Sequence, residues 1–372
     1  MNGKDSFNRR KVLKTAGASL AATPAIGVVY GEKDIEVVTA VRGDTPVESE
    51  FVSQKWIDHE NKVTRKLNKF RKELKNDQRV KEIELGVANE WVGGRPGSRI
   101  EIAIKPGSDG PDVPKEEDQV EIKKKTAKTR RFAFNSGCQS NSNYFADLPG
   151  GVLLQSSEGN VDRYGTSAYL STWNGSQYML SVSHLWGLCE DNDQESAYHK
   201  AKKIGTVTAA HIDHDWSLVN KTTSNIDSLT SGIFDPADKN IHNISARFTT
   251  SGLRTAMQDN RTVFKVGIET GRTRGTILNV EGNGGIDSCT SWDGNGMKTG
   301  CTVADGDSGG PIYAKGKNNS NNFVVAGIVS GGLDFFIPGE SSACNNNELS
   351  PNSTGMSAHG LATVHGIKPV FF

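Results

Sequence analysis

Ser308 stands in the hexad Gly306-Asp307-Ser308-Gly309-Gly310-Pro311, between glycines that allow a sharp turn and beside an aspartate able to pin that turn from inside. Such a setting suits acyl transfer. The hydroxyl stands exposed, nearby backbone N–H groups can point at a developing oxyanion, and glycine lets a substrate carbonyl approach the chain closely. A Gly-rich hairpin that merely contains a serine is the plain alternative. A serine nucleophile also needs a base and a group to orient that base. Upstream, the apolar, β-favouring run Tyr178-Met179-Leu180-Ser181-Val182-Ser183 stops at His184. Further on, His214-Asp215-Trp216-Ser217-Leu218-Val219 places a carboxylate at the mouth of a strand whose apolar residues alternate into a core. A lone histidine at a strand end is more often structural than catalytic. Its place ahead of Asp215 and Ser308 makes His184 the base candidate.

In their order His184, Asp215, Ser308, these motifs resemble those of the chymotrypsin-type serine peptidases; other folds with the same three groups use other orders. Two further segments extend the resemblance toward the prokaryotic streptogrisin and α-lytic branch. Val266-Gly267-Ile268-Glu269-Thr270-Gly271-Arg272-Thr273-Arg274-Gly275-Thr276-Ile277 is similar to that branch's Gly/Thr-rich loop and following strand. Val325-Ala326-Gly327-Ile328-Val329-Ser330-Gly331-Gly332 resembles the strand that lines the first specificity pocket and pairs with an extended substrate. The resemblance implies an all-β, chymotrypsin-like double Greek-key β-barrel over residues 136–372. It implies a secreted serine endopeptidase with catalytic His184, Asp215 and Ser308, and an oxyanion hole from the N–H groups of Gly306 and Ser308. Thr302, Val303, Ser330, Gly331 and Gly332 would bind substrate, extended polypeptides would be the partners, and no cofactor or metal is called for. Neither Thr302 nor Val303 is acidic, so large apolar residues on the acyl side of the cut are expected. An esterase, or an inactive peptidase-like surface or binding protein, are the alternatives.

Departures from the family pattern concern the cysteines. Leu185 stands where a cysteine often follows the histidine, and Ala304 where one usually precedes the serine, with Cys301 three residues further back. By resemblance the pairs are Cys138–Cys189 and Cys301–Cys344, leaving Cys289 free, with Cys289–Cys301 as a rival. His211, Asp213, His214 and Asp215 invite a metal reading. Along a continuous strand, however, His211 and His214 face opposite ways and share no ion, so no metal is expected there.

The 372 residues carry no net charge, which gives no reason to expect a nucleic-acid partner. No run reaches a membrane span. Asn8-Arg9-Arg10-Lys11-Val12-Leu13-Lys14, with the mild apolar run after it, reads as a twin-arginine export signal over residues 1–31, hence a prokaryotic source and no membrane attachment after its removal. All five cysteines lie beyond residue 137. Residues 32–135 read as a small α+β module. Ile35 to Val41, Val80 to Gly86 and Ile100 to Ile104 are strands, and Lys55 to Lys75 is a charged helix with Trp56, Val63, Leu67, Phe70 and Leu74 on one face. Gly107 to Arg131 is a charged linker, although Val120-Glu121-Ile122 could add a strand. By its place the module is a pro-region of a zymogen that assists folding and is then cut away; a permanently attached surface domain is the alternative.

Overall fold

A computed structural model of the chain describes residues 34–126, 143–158, 161–187, 194–285, 290–317, 320–333 and 349–371. The fold is mostly β, with three helices among the described residues. The export signal, most of the linker, and Cys138, Cys189, Cys289 and Cys344 lie outside them.

The first sheet is built from residues 153–221 and one C-terminal strand. Its order is Lys368–Pro369, Leu170–Trp173, Ser176–Ser181, Trp216–Lys221, Lys202–His211, Ser196–His199, Leu153–Glu158 and Val161–Thr166, paired antiparallel throughout. Leu180 opposite Leu218 and Met179 opposite Val219 set the register, and all four side chains are fully buried. This apolar cluster takes in Leu154, Ile204, Val207 and Trp186, and holds the strands that end near His184 and Asp215.

The second sheet takes in the N-terminal strands. Asn240–Phe248, Phe323–Ile328, Pro311–Lys315, Thr262–Gly267 and Gly271–Gly282 form its middle. One edge is covered by the hairpin of Asp34–Arg42 and Thr45–Ser53, with Ala40 opposite Phe248. The other meets Val80–Val92 through Leu85 opposite Val280, followed by Arg95–Ile104 and Val120–Thr126. N-terminal strands thus bracket the middle on both sides and cover backbone groups that would otherwise be open edges. The hairpin 80–104 turns at Gly93 and Gly94, both at positive φ, as a two-residue turn requires. Val120–Thr126 is a strand with Val120 fully buried, so this part of the Gly107–Arg131 stretch belongs to the sheet.

Helix α1 (Gln54–Leu74) starts at Ser53, whose hydroxyl accepts from the Trp56 N–H, and buries Trp56, Val63, Leu67 and Phe70 at helical spacing. Val63, Leu67 and Phe70 join Ile83, Leu85, Ile100 and Ile102 in one core with Phe248, Leu253, Met257, Ile277 and Met297, while Trp56 packs with Val37 and Val52. Each such side chain contributes about 1.5–3 kcal/mol by leaving water. Helices α2 (Thr250–Gln258) and α3 (Ala358–Val364) are likewise capped by hydroxyls, those of Thr249 and Ser357. Among the described residues no pairing closes either sheet into a barrel; where two barrels are expected there are two open sheets, and the first core packs residues of both together. No helix among them is long and apolar enough to cross a membrane.

Candidate active site

Strand Ser176–Ser181 delivers His184, and the turn after Lys202–His211 delivers Asp215, which sits at positive φ as the chain enters Trp216–Lys221. The His184 Nδ1 lies 2.9 Å from both oxygens of Asp215. Asp215 is fully buried, and its Oδ1 also accepts from the Ser183 N–H, the Ser183 hydroxyl and the His184 N–H at 3.0–3.1 Å. Burial pushes this carboxyl's pKa up, but His184 and the hydrogen bonds outweigh it, so the group lies below its ordinary value and stays ionised. A buried carboxylate so held fixes the imidazole with Nδ1 as donor and Nε2 as the basic nitrogen.

Ser308 belongs to the second sheet's side of the cleft. Its hydroxyl donates to the Ser330 carbonyl at 3.3 Å. The buried Ser330 hydroxyl lies close enough to Asp215 to lower its pKa, short of regular hydrogen-bond geometry. The Ser308 carbonyl accepts from the Thr166 N–H at 2.7 Å, and the Thr166 carbonyl accepts from the Ser181 hydroxyl at 3.0 Å. A Cβ on Gly165 would lie 2.9 Å from the Ser308 carbonyl oxygen and 3.5 Å from Leu185, the neighbour of His184. Strand Val161–Thr166 therefore brings the two halves of the site to one place.

The turn carrying Ser308 is pinned by Asp307, as the hexad suggests. Its fully buried carboxylate accepts from the N–H groups of Glu269, Thr270 and Ala304, from the Thr270 hydroxyl at 2.6 Å and from Lys265 Nζ at 2.6 Å. Gly267 leaves room for that carboxylate, which a Cβ there would meet at 2.1 Å. Gly309, at positive φ, has the Thr166 carbonyl 2.0 Å from any Cβ it could carry. Among the described residues no group accepts from the N–H of Gly306 or Ser308, so both donors are available to a ligand. Lys265 was not singled out in the sequence. It pairs with Asp307 across 42 positions, and only the lysine two residues before Gly267 in an otherwise apolar strand hints at it.

Of the pocket residues, Thr302 is half-buried and its carbonyl accepts from Thr273, whereas Val303 packs in the second core. Ser330 and Gly331 pair with Thr354, and Gly332 lies where a Cβ would meet Ser350 and Val303. Cys301 is a free thiol buried in the second core, with its pKa raised by burial. Both the Cys301–Cys344 pairing and its rival Cys289–Cys301 are therefore absent, because the side chain points inward among Val263 and its neighbours rather than toward a surface loop.

The ground for excluding metal from the His211–Asp215 stretch also fails. The strand ends at His211, and residues 212–215 turn, which stacks the His211 and His214 rings 4.8 Å apart at 17°. His365, beyond α3, joins them, and one nitrogen from each ring lies within 4.8 Å of the others. Asp235, Asp238 and His242 form a second group, in which Arg272 already occupies Asp235 at 2.6 Å.

No family model matches the sequence, and no curated protein matches it. Solved structures do. A Cellulomonas bogoriensis chymotrypsin is 16% identical, with 61% of this chain and 100% of that one covered, at a TM-score of 0.43. Thermobifida fusca protease A is 17% identical over 61% and 100% of the two chains, at 0.42. A glutamic-acid-specific serine protease, described as using a histidine triad in substrate binding, is 18% identical over 60% and 100%, also at 0.42.

Proposed function

We propose that the chain is a serine endopeptidase. The reading is carried by one observation: a fully buried carboxylate holds His184 Nδ1 at 2.9 Å, while Gly165 sits between the Ser308 carbonyl and Leu185, the neighbour of His184. Ser308 Oγ attacks the scissile carbonyl while His184 Nε2 takes its proton. The oxyanion draws on the Gly306 and Ser308 N–H groups. Collapse expels the amine, which receives the proton from His184, and water then releases the acyl group by the same route. Asp215 keeps the imidazole's tautomer and balances its charge.

The Lys265–Asp307 pair bears on maturation. It supplies the buried counter-ion of the Ser308 turn from within the folded chain, so the site needs no newly cut N-terminus to form. Residues 34–126 act as a folding partner that stays docked even if the chain is cut between residues 127 and 142. Export by the twin-arginine route remains part of the proposal. So does preference for large apolar residues on the acyl side of the cut, since Thr302 and Gly331 bring no charge there.

A fluorophosphonate probe and a peptide library test the reading together. Labelling of the native chain but not of Ser308→Ala, with cleavage of peptides, supports a peptidase. Labelling with ester turnover alone indicates an esterase, and no labelling of a folded chain indicates a binding protein. A cleavage profile dominated by Arg, Lys or Glu would overturn the pocket assignment.

A further inference from the structure

The three-histidine group beside Asp215 is built more like a ligand set than a chance stack. His214 is almost fully buried, and its Nδ1 faces His365 Nε2 at very short range. Its other nitrogen, Nε2, lies 3.4 Å from the Asp293 carboxylate. A carboxylate on the far nitrogen holds the proton there and turns the near lone pair inward, as in carboxylate–histidine–metal arrangements. Asp293 accepts from the Ser291 hydroxyl at 3.2 Å, and the Ser291 N–H donates to the Asp213 carbonyl at 2.6 Å. His211 completes the set: its ring centroid lies 4.9 Å from that of His365, and Trp216 packs against both.

We propose that His211, His214 and His365 bind one divalent transition-metal ion of the zinc class, with water as the fourth ligand. Imidazole nitrogens in a tetrahedral set lie about 2.0–2.1 Å from zinc, so nitrogens within 4.8 Å of one another close on an ion by small side-chain movements. Through His211, the ion replaces the 3.3 Å contact that its Nδ1 makes with the His214 N–H. The ion ties the end of α3 to the turn of residues 212–215, whose Asp215 N–H donates to the Ile212 carbonyl at 3.0 Å. It thereby fastens the left-handed turn that presents the carboxylate to His184, from the side away from the imidazole.

The binding claim does not depend on the peptidase reading, and the test keeps them apart by using full-length Ser308→Ala protein. After chelator treatment and dialysis, the protein is titrated calorimetrically with Zn²⁺, and its melting temperature is followed with and without the ion. One ion per chain, a melting temperature that rises with Zn²⁺, and a tetrahedral absorption spectrum with Co²⁺ are expected. His365→Ala and His211→Ala should each lose about 100-fold or more in affinity, and Asp293→Asn about 10–100-fold. If His365→Ala fails to fold by circular dichroism, the half-exposed His211 carries the test alone. Absence of saturable binding tighter than about 100 μM, or unchanged affinity in His211→Ala, overturns the proposal.

Discussion

The half of the molecule that holds His184 and Asp215 and the half that holds Ser308 are stabilised differently. Residues 153–221 form one antiparallel sheet with Lys368–Pro369, on a core that takes in Ile244, Val266, Tyr313 and Phe323 of the second sheet but no residue of 34–126. The strands around Ser308 complete their core only with residues 34–126. Charged groups cross that junction in a buried layer. Arg254 pairs with Glu60 and Glu281, Lys298 with Glu82 and Glu84, and Asn279 donates to Glu101, while Gln258 reaches Glu60, Ser98 and Trp56. Buried pairs of this kind add little net stability over apolar packing, yet they are costly to break one partner at a time. They fix which surfaces belong together. The first core draws on nothing before residue 145, and the second is completed by residues 34–126.

The largest expected effect follows from removing the borrowed part. Residues 143–372 expressed alone should lack cooperative unfolding of the second sheet and should not react with a fluorophosphonate. Added residues 34–126 should restore both. Full activity and a native melting curve for residues 143–372 alone would erase the contrast between the halves.

Next in size come the chemical groups, one substitution in each half. Ser308→Ala and His184→Ala should each lower turnover by several orders of magnitude without changing the circular dichroism spectrum. Asp215→Asn should cost on the order of 10⁴, since an amide no longer selects the tautomer with Nε2 as the basic nitrogen. Near-normal peptide turnover in Ser308→Ala would be decisive against the assignment.

What the sequence showed and what it hid divides along the same line. The three motifs were legible because each is local: a strand ending at a histidine, a carboxylate entering a strand, a serine in a Gly-rich turn. Helix α1 was legible from its apolar spacing, within a residue at each end. The bracketing of the second sheet was hidden, because alternation in Val80–Gly86 marks a strand but not its partner. Lys265 reads as a surface lysine until its strand is seen to pass behind Asp307. The His365 partnership spans 151 positions, and the turn at residues 212–215 interrupts the strand pattern that set His211 and His214 on opposite faces.

Single ion pairs offer a smaller, graded test. Arg254→Met leaves Glu60 buried beneath α2 with one cation fewer, and should destabilise the chain by about 3–5 kcal/mol. Lys265→Met strands Asp307 in the same way and should cost a similar amount. The two differ in readout. Lys265→Met should also lower fluorophosphonate reactivity at temperatures where the chain is folded, because the carboxylate it frees is the one that shapes the Ser308 turn. Arg254→Met should leave that reactivity intact until the second sheet melts. Equal reactivity in the two folded variants would mean that the turn is held by its backbone donors without the lysine.

The smallest effect is in the pH dependence of the borrowed half. His359, at the start of α3, lies beside Arg247 on the strand that pairs with Asp34–Arg42. Burial, and then the Arg247 charge, lower its pKa from 6.5 to about 4. Above pH 6.5 the imidazole is neutral in both folded and unfolded chains, and its contribution to stability is fully present. As pH falls, the unfolded chain takes up a proton that the folded chain refuses, so stability is lost through the window from about 6.5 to 4. At pH 5 the loss from this residue should be about 1–2 kcal/mol relative to pH 7. Glu101, held at about 2 against burial by Lys125 and Arg99, is still ionised there and does not contribute to the change. His365 titrates in the same window, so His359→Gln should flatten the decline without abolishing it. Urea unfolding at pH 7 and pH 5 measures the difference directly. An identical decline in His359→Gln would place the acid sensitivity wholly in the His365 group and thus beside Asp215, in the half that carries the base.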